Sequence, residues 1–158
     1  MSTQTLNPSN AIDAMLETAP AKTEVRKIPD GAFQISDHVR QGDIYITRIH
    51  PTKNSTFETG QDKVTVSPKD YITKAKEVDG VVQLVPGMST GSRHIVRPNA
   101  KVRVMLNPKN NNALIGPIIE AETRFCVEHP KHAHMDLPAG TYQVTYQLNA
   151  ATQQRVRD

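Results

Sequence analysis

The stretch TYQVTYQL (residues 141–148) decides the fold. Tyr142, Val144, Tyr146 and Leu148 alternate with Thr141, Gln143, Thr145 and Gln147, the period of two that belongs to a strand with one face on a core and the other in water. A slip of one residue would turn the whole apolar set outward, so the pattern sets the register as well as the element. It predicts a half-buried antiparallel strand with Tyr142, Val144 and Tyr146 inward.

The same period recurs upstream. GDIYITRI (42–49) sets Ile44 and Ile46 against Tyr45, Thr47 and Ile49, and KVRVML (101–106) sets Val102, Val104 and Leu106 against Lys101, Arg103 and Met105. DKVTVS (62–67), GVVQLV (80–85), RHIV (93–96), ALIGPIIEAE (113–122) and TRFCVEH (123–129) read as further short strands. Between them fall turn signals: Pro68, Pro86 with Gly87, Gly91, Pro98, NPKNNN (107–112) and LPAG (137–140). Such punctuation predicts a mainly β domain, a small antiparallel β-barrel or sandwich. SPKDYITKAKEV (67–78) could add a single short helix.

Residues 1–31 differ, being rich in Ser, Thr, Asn, Pro and Ala, and read as an extended N-terminal arm before a β-domain at 32–150 and a polar tail at 151–158. Within the arm, NPSNAIDAMLET (7–18) predicts a short helix with Asn7 or Asn10 as N-cap and Ile12, Met15 and Leu16 on one face. A helix this short is marginal alone, so its apolar stripe needs a partner, either its own domain or another subunit. In the tail, Arg155 and Arg157 are candidates for contact with a partner's carboxylates.

Composition narrows the function classes. The chain has 158 residues, enough for one core; 19 basic and 16 acidic residues leave a net charge of +3, with no basic run longer than Arg26–Lys27. There is no Trp, with only 3 Phe and 4 Tyr, so a base-stacking surface is poorly supplied and nucleic acid is disfavoured as a partner. The lone Cys126 forms no internal disulfide. No basic leader precedes an apolar core and no stretch has the length of a membrane span, which predicts a soluble, cytoplasmic protein unless it leaves on a particle.

The polar residues offer one cluster. VEHPKHAHMDLPAGTYQV (127–144) holds His129, His132 and His134, and His94 would join them if the two strands pair. Neutral imidazoles suit zinc, nickel, copper or iron, so these four are the metal candidates. The spacing matches no compact zinc motif, and the reading preferred is a loop at the domain rim with its rings partly in water. The loop PGMSTGSRH (86–94), with Ser89, Thr90 and Ser92, lacks the Gly-Lys-Ser/Thr ending of a phosphate loop and reads as a glycine-rich turn. Cys126 reads as a half-buried small residue, and Glu120 and Glu122 as a solvated pair. No catalytic residue and no cofactor are expected.

RQGDIYITRI (40–49), TGSRHIV (90–96), VEHPKHAHMDLPAGTYQVTYQ (127–147) and the closing RVRD (155–158) together resemble a family of small bacterial and bacteriophage proteins. Its members open on R-Q-G-D-V, carry a T-G-H-x-H turn and an H-x-x-H-x-x-x-x-L-P-x-G-x-Y-x-V-x-x-Q segment, and end on R-R-V-x-D. Gly42, Asp43, Gly91, His94, His129, His132, Pro138, Gly140, Tyr142 and Gln147 match that pattern, while Ser92 stands where the family has histidine. The resemblance implies an ancestry in phages and mobile elements and no particular activity. The function expected is therefore a non-enzymatic structural or assembly protein, such as a capsid decoration protein, that binds neighbouring subunits through its arm. It would be located in the virion if phage-encoded and otherwise in the cytoplasm. The alternative is a histidine-rich metal-binding β-barrel, enzyme or sensor.

Overall fold

Strands dominate the computed structural model, which describes residues 24–73, 80–85, 93–149, 151–152 and 154–156. In chain order they are β1 (Val25–Lys27), β2 (His38–Gln41), β3 (Ile44–Ile49), β4 (Ser55–Thr59), β5 (Asp62–Val66), β6 (Val82–Gln83) and β7 (Ile95–Val96). There follow β8 (Val102–Met105), β9 (Ile115–Ala121), β10 (Phe125–Val127), β11 (His134–Leu137), β12 (Gly140–Tyr146), β13 (Leu148–Asn149) and β14 (Gln154–Arg155). Where a short helix was expected after Ser67, one 3-10 turn at Pro68–Asp70 forms, and Tyr71 is already extended at φ −92 and ψ 140. The arm helix carrying Ile12, Met15 and Leu16 lies outside the described residues, as do Arg157 and residues 86–92.

The protein is mainly β, with several antiparallel sheets. The largest has the order β2-β3-β12-β9-β8, every neighbouring pair antiparallel. Its ends, β2 and β8, do not meet, so the described strands close no barrel. The strand read first in the sequence is thus the middle of the sheet, and that position changes its burial. Tyr142, Val144 and Tyr146 face a large core with Ile44, Ile46, Val104 and Ile119, covered by Phe125, Val127, Met135 and Leu137 of the sheet β1-β11-β10 and by Val82 and Val96 of the β6–β7 pair. The other face is covered too, by a second cluster in which Ile49, Met105, Ile115 and Ile118 meet Val66 of the β4–β5 hairpin and Tyr71. The half-buried strand expected from the alternation is therefore buried on both faces: Thr141 and Gln143, read as outward, are 6% and 0% exposed.

Gln143 tolerates this because it completes a defect next door. Between Gln143 and Thr145, β12 advances two residues while β9 advances three, from Ile118 to Ile115, so Gly116 and Pro117 sit in a bulge. Proline supplies no ladder donor, and a bulge is where a central strand accommodates one. The amide nitrogen of Gln143 donates to the carbonyls of Gly116 at 2.8 Å, Pro117 at 3.2 Å and Val144 at 2.8 Å. An apolar side chain here would leave those carbonyls without this donor.

Strands also form at both limits of the described residues. β1 runs parallel to β11 in the register Val25–His134, Arg26–Met135, Lys27–Asp136, and Ile28 packs on the main core. Arg124 bridges Asp30 at 2.8 Å and Asp136 at 3.2 Å. Residues 24–31, the end of the stretch read as an arm, thus lie against the domain. The tail returns as β14, and the Arg155 guanidinium sits 4.8 Å from the centre of its own chain's Tyr146 ring.

Gly116 offers a check on the bulge. A Cβ built there would lie 2.6 Å from Tyr146 Oη, and that hydroxyl is anchored by donating to the Leu84 carbonyl at 2.5 Å. Gly116→Ala should therefore destabilise the fold by about 1–3 kcal/mol, the usual cost of overpacking. Chemical denaturation measures it, and an unchanged midpoint would remove the bulge from the account.

Candidate functional site

Three segments converge where the family-like motifs lie. The first is the β2–β3 hairpin, whose two-residue turn Gly42–Asp43 is allowed by the left-handed φ of 57° at Gly42 and turns Asp43 inward to 1% exposure. The second is the approach to β7, where His94 O accepts from Leu84 N at 2.8 Å. The third follows β10: Ile95 and Glu128 exchange backbone hydrogen bonds at 2.9 Å each, which sets His129 beside His94. The His94 and His129 rings are 4.5 Å apart centre to centre, and the His132 ring lies at the same spacing from His129, tilted by 45°.

The hydrogen atoms of this cluster follow from its partners. The Gln41 amide nitrogen donates to the carbonyls of Val127 at 3.0 Å and Ala133 at 2.8 Å, so its Oε1 must face His94 Nδ1, 2.7 Å away. Nδ1 therefore carries a hydrogen and donates it. His94 Nε2 lies 2.8 Å from Asp43 Oδ1, so the second ring nitrogen is hydrogen-bonded as well. His129 is bound the opposite way. Its Nδ1 accepts from the backbone N–H groups of Lys131 and His132, both at 3.0 Å, so its hydrogen sits on Nε2, a buried atom with no partner among the described residues.

Burial, together with the neighbouring His94 and His132, pushes the His129 pKa from 6.5 down to about 3, with Asp43 opposing. The ring is neutral at physiological pH. A histidine that binds a metal through Nε2 keeps its hydrogen on Nδ1 and donates it outward, which the two N–H groups facing His129 Nδ1 forbid. Among the described residues no group of three or more His, Cys, Asp and Glu side chains is disposed to hold a metal ion.

The expected rim of hydrated rings is thus corrected. His94 and His129 are fully buried, His134 is half-buried and His132 alone of the four is exposed. Gln41 and Asp43 take up both ring nitrogens of His94, and the turn amides take up Nδ1 of His129. Gln41, read only as part of the RQGD motif, was given no site role, although the run Gln41-Gly42-Asp43 carries a signal: polar residues on both sides of the glycine of a tight turn. Cys126 is half-buried with its thiol pushed up to about 12 by burial and by Glu128 and Asp136, a poor nucleophile. Glu120, read as solvated, pairs with Arg103.

With fold and cluster in view, the class is a mainly β domain built around a buried Gln-Asp-His network. The chain belongs to a family described as a domain of unknown function (DUF8820), whose model matches residues 40–147. Neither the curated proteins nor the solved structures contain a match.

Two outcomes test the network. A histidine with a lowered pKa contributes stability that is complete above 6.5 and is lost as pH falls toward about 3, because the unfolded chain takes up a proton the folded one refuses. Unfolding free energy should fall by about 1.4 kcal/mol per pH unit across that window from this group. His129→Asn, whose carbonyl oxygen occupies the Nδ1 position, should keep the turn and abolish that share; equal slopes in the two proteins would refute the assignment. At the second site, Asp43→Leu should cost about 1–3 kcal/mol by leaving His94 Nε2 without its partner. Asp43→Asn, still able to meet Nε2, should cost about 1 kcal/mol in the same denaturation measurement.

Proposed function

We propose that the chain is a non-enzymatic structural or assembly protein that binds neighbouring subunits of a larger protein assembly through its N-terminal segment. The observation that carries this reading is where apolar exposure falls. Val25 at 60% and Ile35 at 51% are the most exposed large hydrophobic side chains among the described residues, and both precede the family match at residue 40. Ile35 is held rigidly. Ser36 beside it adopts φ 78, its N–H donates to the Arg48 carbonyl at 2.8 Å, and the Gln34 N–H donates to Asp37 Oδ2 at 2.8 Å. A non-glycine residue in that conformation persists only where its surroundings impose it, and here the result is an apolar side chain displayed to solvent.

Chemistry gives less support to an enzyme. His94 and Gln41 are engaged within the fold, and the Cys126 thiol is inert. We read the five-stranded and three-stranded sheets, which share one core, as a β-sandwich, and the resemblance to phage proteins makes capsid decoration the specific form of the assembly role. Ile12, Met15 and Leu16 would supply the docking stripe, with Arg155 and Arg157 as lesser contacts, and no cofactor, membrane or nucleic acid is involved. No helix of the described residues is long and apolar enough to cross a membrane. Burying three such side chains contributes about 1.5–3 kcal/mol each, against about 1–2 kcal/mol for each arm residue ordered, so a single copy binds weakly and many copies on one shell bind by avidity.

The test replaces Ile12, Met15 and Leu16 together with Asp in the full chain. The variant should unfold at the wild-type temperature and be lost, by about a hundredfold or more, from virions or other large particles purified from expressing cells. Retention at the wild-type level would defeat the proposal. One metal ion per chain that survives dialysis and disappears with His132→Ala or His134→Ala would favour the histidine-centred alternative instead.

A further inference from the structure

A second surface of the N-terminal segment is the edge of β1, which pairs with no strand but β11 among the described residues. It ends the order β1-β11-β10, and all three of its residues are exposed. The Glu24 carbonyl accepts from His134 N at 2.7 Å and Ile28 N donates to the Asp136 carbonyl at 2.9 Å, so the backbone groups of residues 24, 26 and 28 face β11. By the alternation of a strand, the N–H and C=O of Val25 and Lys27 point away from the sheet. Edges of this kind accept another strand unless their side chains forbid it.

The side chains here select a partner. We propose that two copies of the chain join edge to edge at β1, antiparallel about a two-fold axis, with Val25 opposite the partner's Val25. This rests on the assembly reading above and names the first partner as a second copy. In that register Val25 and the partner's Val25 exchange both hydrogen bonds, which uses the backbone groups that face outward. Glu24 then lies opposite the partner's Arg26, and Arg26 opposite the partner's Glu24, giving two equivalent opposite-charge pairs, as two-fold symmetry requires. The Val25 side chain, 60% exposed in the single chain, gains a neighbour at the centre.

Neighbouring registers fail on charge or on backbone. Centring on Arg26 sets like charges opposite each other at a closely spaced pair. Centring on Lys27 sets Lys27 on the partner's Lys27 and brings Val25 against the partner's Pro29, which has no N–H to donate. Glu24, Arg26 and Lys27 are all exposed, and Arg124, the nearby cation, is engaged with Asp30 and Asp136. The union would join two three-stranded sheets into one continuous sheet and remove both exposed edges.

Sedimentation of the full chain over a range of concentrations tests this. The wild type should be a dimer. Val25→Pro removes the outward N–H and replaces the central side chain, and proline is tolerated at an edge position facing solvent, so it should keep the wild-type unfolding temperature while weakening dimerisation by about thirtyfold or more. Glu24→Arg and Arg26→Glu should each give monomer, and the two combined should restore the dimer, because the swapped pairs again oppose unlike charges. A monomeric wild type, a dimeric Val25→Pro protein, or failure of the double swap to restore pairing would overturn the proposal. The Ile12, Met15, Leu16 variant separates the two readings. If it loses the dimer while Val25→Pro keeps it, edge pairing is wrong and the arm-mediated assembly reading stands; if it stays dimeric and still reaches particles, the arm-mediated reading is wrong and edge pairing stands.

Discussion

A buried imidazole is stabilised by a hydrogen-bonding group at each ring nitrogen, and His94 obtains both from one hairpin. Gln41 and Asp43 sit on either side of Gly42 at the β2–β3 turn, 2.7 and 2.8 Å from the two nitrogens. The other end of Gln41 is spoken for by the carbonyls of Val127 and Ala133. The requirement to satisfy one imidazole therefore ties the hairpin to β7 and to the chain on both sides of the His129 turn. These elements come from distant parts of the sequence and belong to different sheets. Apolar burial is non-directional, whereas the bonds of Gln41 and Asp43 to His94 are directional and add an orientation to the contact between these elements.

The His129 turn shows the same economy on a smaller scale. His129-Pro130-Lys131-His132 and His50-Pro51-Thr52-Lys53 are built alike: in each, the histidine Nδ1 accepts from the backbone N–H groups two and three residues on, at 3.0 Å for His129 and 3.1 Å for His50. The imidazole does the work usually given to an Asn or Asp side chain, and the following proline presets the bend. His50 is an isolated instance at the end of β3, with no second histidine in its turn. Its geometry gives the local turn a sufficient account of the His-Pro pair, without any appeal to a ligand. What distinguishes His129 is its depth, and depth lowers its pKa.

Local pattern made much of the sheet legible and little of the network. The alternation around Tyr142 identified the core face because side-chain direction in a strand depends only on position parity. It could not show that a second hairpin covers the opposite face, since Gln143 is polar and polarity is ordinarily the sign of solvent. Its burial depends on the bulge at Gly116 and Pro117, a property of the neighbouring strand. The adjacency of His94 and His129 was readable, because RHIV and TRFCVEH looked like strands able to pair. The rings were nevertheless placed in water, because Gln41, the group that satisfies one of them, lies 53 residues from His94. β1 escaped notice for a different reason: three exposed residues with no apolar period carry no local signal, and only their pairing with β11 makes them a strand.

That last case bears on function. The polar residues with the most chemical potential are turned inward and spent on each other, while the segment before residue 40, outside the family match, carries the exposed Val25, the exposed Ile35 and the edge of β1. An edge strand is a hazard that proteins ordinarily blunt with charge, and β1 does carry Arg26 and Lys27. Yet blunting by like charge would work best without an acidic residue in pairing distance, and Glu24 supplies one two positions before Arg26. The pattern acid, apolar, base is self-complementary when a strand meets its own copy antiparallel. The same charges that repel strands in other registers therefore favour this one, which is how an edge can be both protected and specific.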